Sequence, residues 1–209
     1  GSSLVSNSIQ EGRILKSGFL LRFHPCVLDA HSRIRSGEIG AIQSVRYRKK
    51  TVRKGSPTSH ALESLAIHGI DLAEFLLDGQ TPLRISEVVG NRTNTELTLE
   101  YPNQVEIHVD VGWNAIAERS ELEVLGVDGS FVIDLKNHIE YCIERDSSVK
   151  VTVESTHTPL EAVLLDFLSG NSTSIAASTG SILRTIKCVE QARLKMVELG
   201  YSDTRELKR

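Results

Sequence analysis

Between Ser59 and Leu77 the apolar residues recur at helical spacing. At about 100° per residue, Leu62, Leu65, Ala66, Gly69, Ile70, Ala73, Leu76 and Leu77 gather into one stripe. That pattern predicts an amphipathic helix with the stripe toward a core. Ser64, His68, Asp71 and Phe75 fall on the opposite side, with Ser64 one turn before His68 and Asp71 one turn after it, so these side chains come within reach of one another. An imidazole changes charge near neutral pH and a carboxylate one turn on can orient it, the pairing that proton transfer at a substrate requires. The other reading of the same four residues is a solvated helix face.

Around this helix the period changes. Residues 14–23 read as a short buried strand, broken at Gly18 and stopped by Pro25, and residues 27–35 as a helix closed by Ser36-Gly37. Residues 41–51 form a strand in which Val45 and Tyr47 alternate with charged neighbours. After Asp78-Gly79 and Pro82 the alternation has period two: Leu97, Leu99 and Tyr101, then Val105, Ile107, Val109, Val111 and Trp113. Asp128-Gly129 between residues 121–127 and 130–135 is the strongest hairpin signal, and residues 139–144 and 149–154 add two strands. From Leu83 onward about seven strands run with no helix between them. With the strand at 41–51 they predict an α+β fold, an open, mainly antiparallel sheet with helices packed on one face. Residues 159–168 and 175–199 supply two late helices. The other face carries Glu, His, Thr and Arg, and is either wetted or used to pair with another subunit.

Composition narrows the function classes. With 209 residues, 40% hydrophobic and 24% charged, the chain suits one large domain or one domain with a fragment of another. A formal charge of -3 gives no electrostatic case for binding nucleic acid or an anionic membrane. The basic run Arg46, Arg48, Lys49, Lys50, Arg53 and Lys54 reads as a solvated strand end and loop, or as a mouth that draws in an anionic small molecule. Cys26, Cys142 and Cys188 are odd in number and never form Cys-x-x-Cys, which points to reduced thiols in a cytoplasmic protein. No apolar run has the length of a bilayer span. There is no Gly-x-Gly-x-x-Gly after a strand, no triphosphate loop and no His-Glu-x-x-His, and the seven histidines lack metal-ligand spacing. Neither a metal nor a dinucleotide is therefore expected on this chain.

Several stretches, in order, resemble the glucose-fructose oxidoreductase and inositol dehydrogenase family, the Gfo/Idh/MocA type. They are residues 18–25 (GFLLRFHP), 35–40 (RSGEIG), 65–72 (LAIHGIDL), Gly112-Trp113 and 122–129 (LEVLGVDG), with residues 159–199 resembling that family's two C-terminal helices. The resemblance implies the second, substrate-binding and oligomerisation domain of a two-domain, glyceraldehyde-3-phosphate-dehydrogenase-like oxidoreductase, with the Rossmann domain absent. It implies NAD or NADP in the full-length protein, a sugar, inositol or related polyol as substrate, a homo-oligomer through the open sheet face, and inactivity of this chain alone. The alternative is a non-catalytic sugar-binding or dimer-forming module.

Position by position, His68 matches that family's active-site histidine and Asp71 the acidic residue one turn on. The acidic residue expected four before the histidine is Ser64 here, with Glu63 one position too early. Arg22 and His24 stand where the family has an Arg-aromatic-Asn-Pro turn, with His24 in place of Asn. The expected substrate-binding residues are thus Arg22, His24, Ser64 and Asp71, with His68 catalytic. The domain reading assigns 1–12 to a disordered terminus or expression remnant, 13–24 to the last strand of the missing Rossmann sheet, 25–200 to the substrate domain and 201–209 to a frayed tail.

Overall fold

The computed structural model describes residues 15–52, 59–137, 139–144, 147–169 and 175–201, together with Asn7, Gln10 and Glu11. Most of the expected terminus, nearly all of the expected tail, and Arg53, Lys54 and His138 lie outside the described residues.

Eight strands form one sheet: β1 (Ile42–Lys50), β2 (Arg84–Gly90), β3 (Asn94–Glu100), β4 (Glu106–Gly112), β5 (Arg119–Gly126), β6 (Ser130–Asp134), β7 (Ile139–Glu144) and β8 (Ser147–Thr152). Their spatial order is β2-β3-β4-β1-β5-β6-β7-β8. Among the described strands only β1 and β4 pair in parallel, because the chain leaves β1 through a helix and returns by the β2-β3-β4 meander. Every other described pairing is antiparallel, so the open, mainly antiparallel α+β sheet expected from the alternation is the one the chain adopts.

The register lines apolar residues up across four strands. Leu99, Ile107, Val45 and Val124 make one row and Leu97, Val109, Tyr47 and Leu122 the next, all buried beneath the helices. Each such side chain contributes about 1.5–3 kcal/mol by leaving water. The opposite face alternates charge: Arg46 and Arg48 lie beside Glu123 and Glu121, with nitrogen–oxygen distances of 2.8–3.3 Å. The helices described in full are α1 (Pro25–Arg35), α2 (Ile67–Leu76), α3 (Pro159–Ser169) and α4 (Thr179–Glu198). Helix α2 lies directly on β1, where Gly69 meets the Tyr47 ring so closely that a Cβ would sit 2.4 Å from Cδ1.

One expected strand is a turn. Within 14–23 the described residues hold a 3-10 turn, Leu20–Phe23, and a single bridge from Ser17 to Ala177. None of the described strands pairs with this segment. Phe19 and Phe23 are buried without a sheet partner, and Arg22 is drawn to acidic groups on α2.

Candidate active site

The helical stretch opens with a π-helical turn, Leu62–Ala66, entered after His60, whose Nδ1 accepts the Leu62 N–H at 3.2 Å. A π turn widens the helix by one residue and recurs at functional sites. It leads straight into α2, whose second residue is His68. The His68 ring is half-buried and meets Phe19 edge-on, with centroids 6.3 Å apart and planes at 89°. Burial, helped by the nearby Lys49 ammonium, holds its pKa below the ordinary value of 6.5. The ring is therefore neutral at pH 7 and able to accept a proton. Its Nδ1 is buried with no hydrogen-bond partner among the described residues. Ser64, one turn earlier, is half-buried and donates its hydroxyl to Ser59 Oγ at 2.6 Å.

Asp71 does not stand on a solvated face beside His68. It is 1% exposed, and its carboxylate accepts from Arg22 Nη2 at 2.6 Å and from Nε at 2.9 and 3.0 Å. Burial raises its pKa to about 6, against the pull of those Arg22 bonds. Arg22 Nη2 also donates to Glu74 Oε2 at 3.1 Å and to Ser181 Oγ at 2.6 Å, while Arg184 Nε reaches Glu74 Oε1 at 2.8 Å. Two carboxylates and two guanidiniums thus form one network joining the 3-10 turn, α2 and α4. Glu74, Ser181 and Arg184 are not among the site residues that the sequence points to. The available signal was Glu74, a charged residue one turn beyond Asp71 and next to the apolar stripe, while its partners Arg22, Ser181 and Arg184 lie 52, 107 and 110 positions away. His24 is 2% exposed and its Nε2 is 3.1 Å from the Leu135 carbonyl oxygen. Arg22, His24 and Asp71 are therefore engaged inside the fold, while His68 and Ser64 are partly accessible.

The described residues form no glycine-rich dinucleotide cradle. Such a cradle needs a glycine-rich turn from a parallel strand into a helix, so that backbone N–H groups approach phosphate oxygens. The single parallel pair here, β1 with β4, leads into no Gly-x-Gly-x-x-Gly. The phosphates of a nicotinamide dinucleotide would find no such cradle among the described residues. Among these residues no three His, Cys, Asp or Glu side chains gather to hold a metal ion. None of the described helices is long and apolar enough to cross a membrane.

Comparison with known proteins agrees with this architecture. A family model described as the GFO/IDH/MocA C-terminal domain matches residues 27–132. The scyllo-inositol 2-dehydrogenase (NAD(+)) of Bacillus subtilis (strain 168) is 29% identical over 160 residues, which cover 66% of this chain and 45% of that enzyme. Among solved structures, the UDP-N-acetylglucosamine 3-dehydrogenase of Acidithiobacillus ferrooxidans superimposes with a TM-score of 0.78 at 16% identity, covering 92% of this chain and 64% of that one. A 3-ketoreductase from Actinomadura kijaniata, solved with TDP-benzene and NADP, gives a TM-score of 0.78 at 17% identity, with 92% of this chain and 64% of the other covered. These structural likenesses establish the fold. The chain spans less than two thirds of each of the three proteins.

Proposed function

The chain belongs to the GFO/IDH/MocA C-terminal domain family, and from that premise we propose that it is the substrate-binding and subunit-pairing part of an NAD(P)-dependent oxidoreductase acting on a sugar, inositol or related polyol. His68 takes the proton from a substrate hydroxyl as that carbon becomes a carbonyl, and returns it in the reverse direction. One observation carries this reading: a half-exposed imidazole, kept neutral by its surroundings, whose Nδ1 has no partner among the described residues. Ser64 meets the substrate from the same helix face. Arg22, His24 and Asp71 act as positioning residues, holding the turn that carries Phe19 against the helix that carries His68. Because the described residues build no dinucleotide cradle, the chain by itself turns over no polyol.

The charged sheet face pairs with a second copy of the chain, and its arginines, matched to Glu121 and Glu123, would not be buried there as unpaired charges. Sedimentation of the purified chain as a dimer is the expected result. A second reading, a non-catalytic sugar-binding or dimer-forming module, is favoured by Ser64 standing where the resemblance calls for an acid.

NMR titration of the histidine side chains tests the site. With myo-inositol, scyllo-inositol or glucose, the His68 signals are expected to shift while those of the exposed His157 stay put. If none of these polyols moves His68, the proposed substrate site is wrong. Release of NADH by the purified chain with any of them would overturn its proposed inactivity.

A further inference from the structure

Strand β1 carries four cations, and three of them are neutralised. Arg46 and Arg48 pair with Glu123 and Glu121 across the charged face, and Lys50 pairs with Asp110. Lys49 points the other way, onto the helix-covered face it shares with Val45 and Tyr47. There the register places it in a third row, Thr95, Val111, Lys49 and Ser120, lying just beyond the apolar row of Leu97, Val109, Tyr47 and Leu122. The core therefore ends in a polar strip. Gly69 packs on Tyr47, so His68 stands over this end of β1, and the Lys49 charge is felt at the His68 ring.

The strip is short of partners. Lys49 is half-buried, meets no carboxylate among the described residues, and donates only to Ser120 Oγ at 3.3 Å. Thr95 is 0% exposed and its Oγ1 has no hydrogen-bond partner among the described residues. The same holds for the buried Oγ1 of Thr51, two positions beyond Lys49. A partly buried ammonium whose one described partner is a neutral hydroxyl is completed best by a negative group. Hydroxyls of a neutral polyol would leave its charge uncompensated. A carboxylate or a phosphate compensates it, and lysine binds either one as a point charge.

We propose that Lys49 is the specificity-determining cation of this site, and that the polyol it selects carries an oxyanion, a carboxylate or a phosphate, near the hydroxyl that reacts at His68. This rests on the reading that the His68 site takes a polyol.

The test uses the purified chain and four probes: glucose, glucuronate, glucose 6-phosphate and inorganic phosphate, with binding read from the His68 NMR signals. At least one charged sugar should bind about tenfold or more tightly than glucose. Which one it is separates a carboxylate from a phosphate. Lys49→Arg should keep that preference, and Lys49→Gln should reduce it to the level of glucose. Glucose binding as tightly as both charged sugars would overturn the inference. So would a preference that survives in Lys49→Gln, or inorganic phosphate binding as tightly as the charged sugars, which would mark a plain anion site. Glucose binding without charge preference refutes this inference alone, whereas His68 signals unmoved by every sugar refute the polyol reading beneath it.

Discussion

Arg22 holds Asp71 through two nitrogens, at 2.6 Å from Nη2 and at 2.9 and 3.0 Å from Nε. Phe19 lies three residues before Arg22, and His68 three residues before Asp71. The clamp thus sets the distance between Phe19 and His68, whose rings meet edge-on. The Arg22 guanidinium also lies 5.4 Å from the centre of the Phe75 ring, filling the space between the turn and the helix.

Breaking that clamp is expected to be severe. Arg22→Ala leaves Asp71 and Glu74 buried without their shared cation, a change worth about 3–5 kcal/mol. Urea unfolding of Arg22→Ala, Asp71→Asn and the double variant gives the coupling between the two. A double variant no less stable than Asp71→Asn alone is the expected sign that the residues act as a unit.

The buried carboxylate also gives stability a pH dependence. The folded-state pKa of Asp71, about 6, lies above its ordinary 3.8, so the folded protein keeps a proton that the unfolded chain releases. Its contribution is fully present below the ordinary value and is lost as pH rises through about 6. Unfolding measured between pH 4 and 7 should show this fall, about one proton's worth by linkage. In Asp71→Asn that component should be missing from the curve.

His68 behaves in the opposite sense. Its folded pKa lies below 6.5, so on acidification the unfolded chain takes up the proton first, and its contribution, fully present above the ordinary value, is lost as pH falls through the lowered one. Lys49→Gln removes one of the two causes of the depression, the other being burial. An NMR titration of the variant should show the His68 midpoint moved upward. An unchanged midpoint would mean that the Lys49 charge does not reach the ring.

Gly69→Ala sets two effects against each other. Alanine favours a helix over glycine by about 1 kcal/mol. A Cβ at this position would lie 2.4 Å from Tyr47 Cδ1, and overpacking a filled core costs about 1–3 kcal/mol. Tyr47 is buried in the row between Val109 and Leu122 and has little room to retreat, so a net loss of stability is expected in thermal unfolding. The same shift should move the His68 NMR signals, because His68 is the next residue along the helix.

Much of this protein follows from local pattern alone. Strict alternation at Leu97, Leu99, Val105, Ile107, Val109 and Val111 dictates half-buried strands, since a one-residue slip would expose every one of them. Asp128-Gly129 places a hairpin, and the stripe from Leu62 to Leu77 makes one helix face bury. The position of His68 on that helix was legible for the same reason. Lys49 belonged in the sequence to a basic run read as a solvated strand end or a mouth for anions. That it shares a row with Thr95, Val111 and Ser120 on the helix-covered side required the register of four strands.

Tertiary structure decided the rest, because it concerned partners distant in sequence. Whether residues 14–23 form a strand depends on a neighbouring strand to bond with, and none of the described strands pairs with them. Whether Asp71 faces water or the interior depends on Arg22, forty-nine positions earlier, bringing the opposite charge that makes its burial tolerable. Helical spacing tells which residues share a face, and only the fold tells what lies against it.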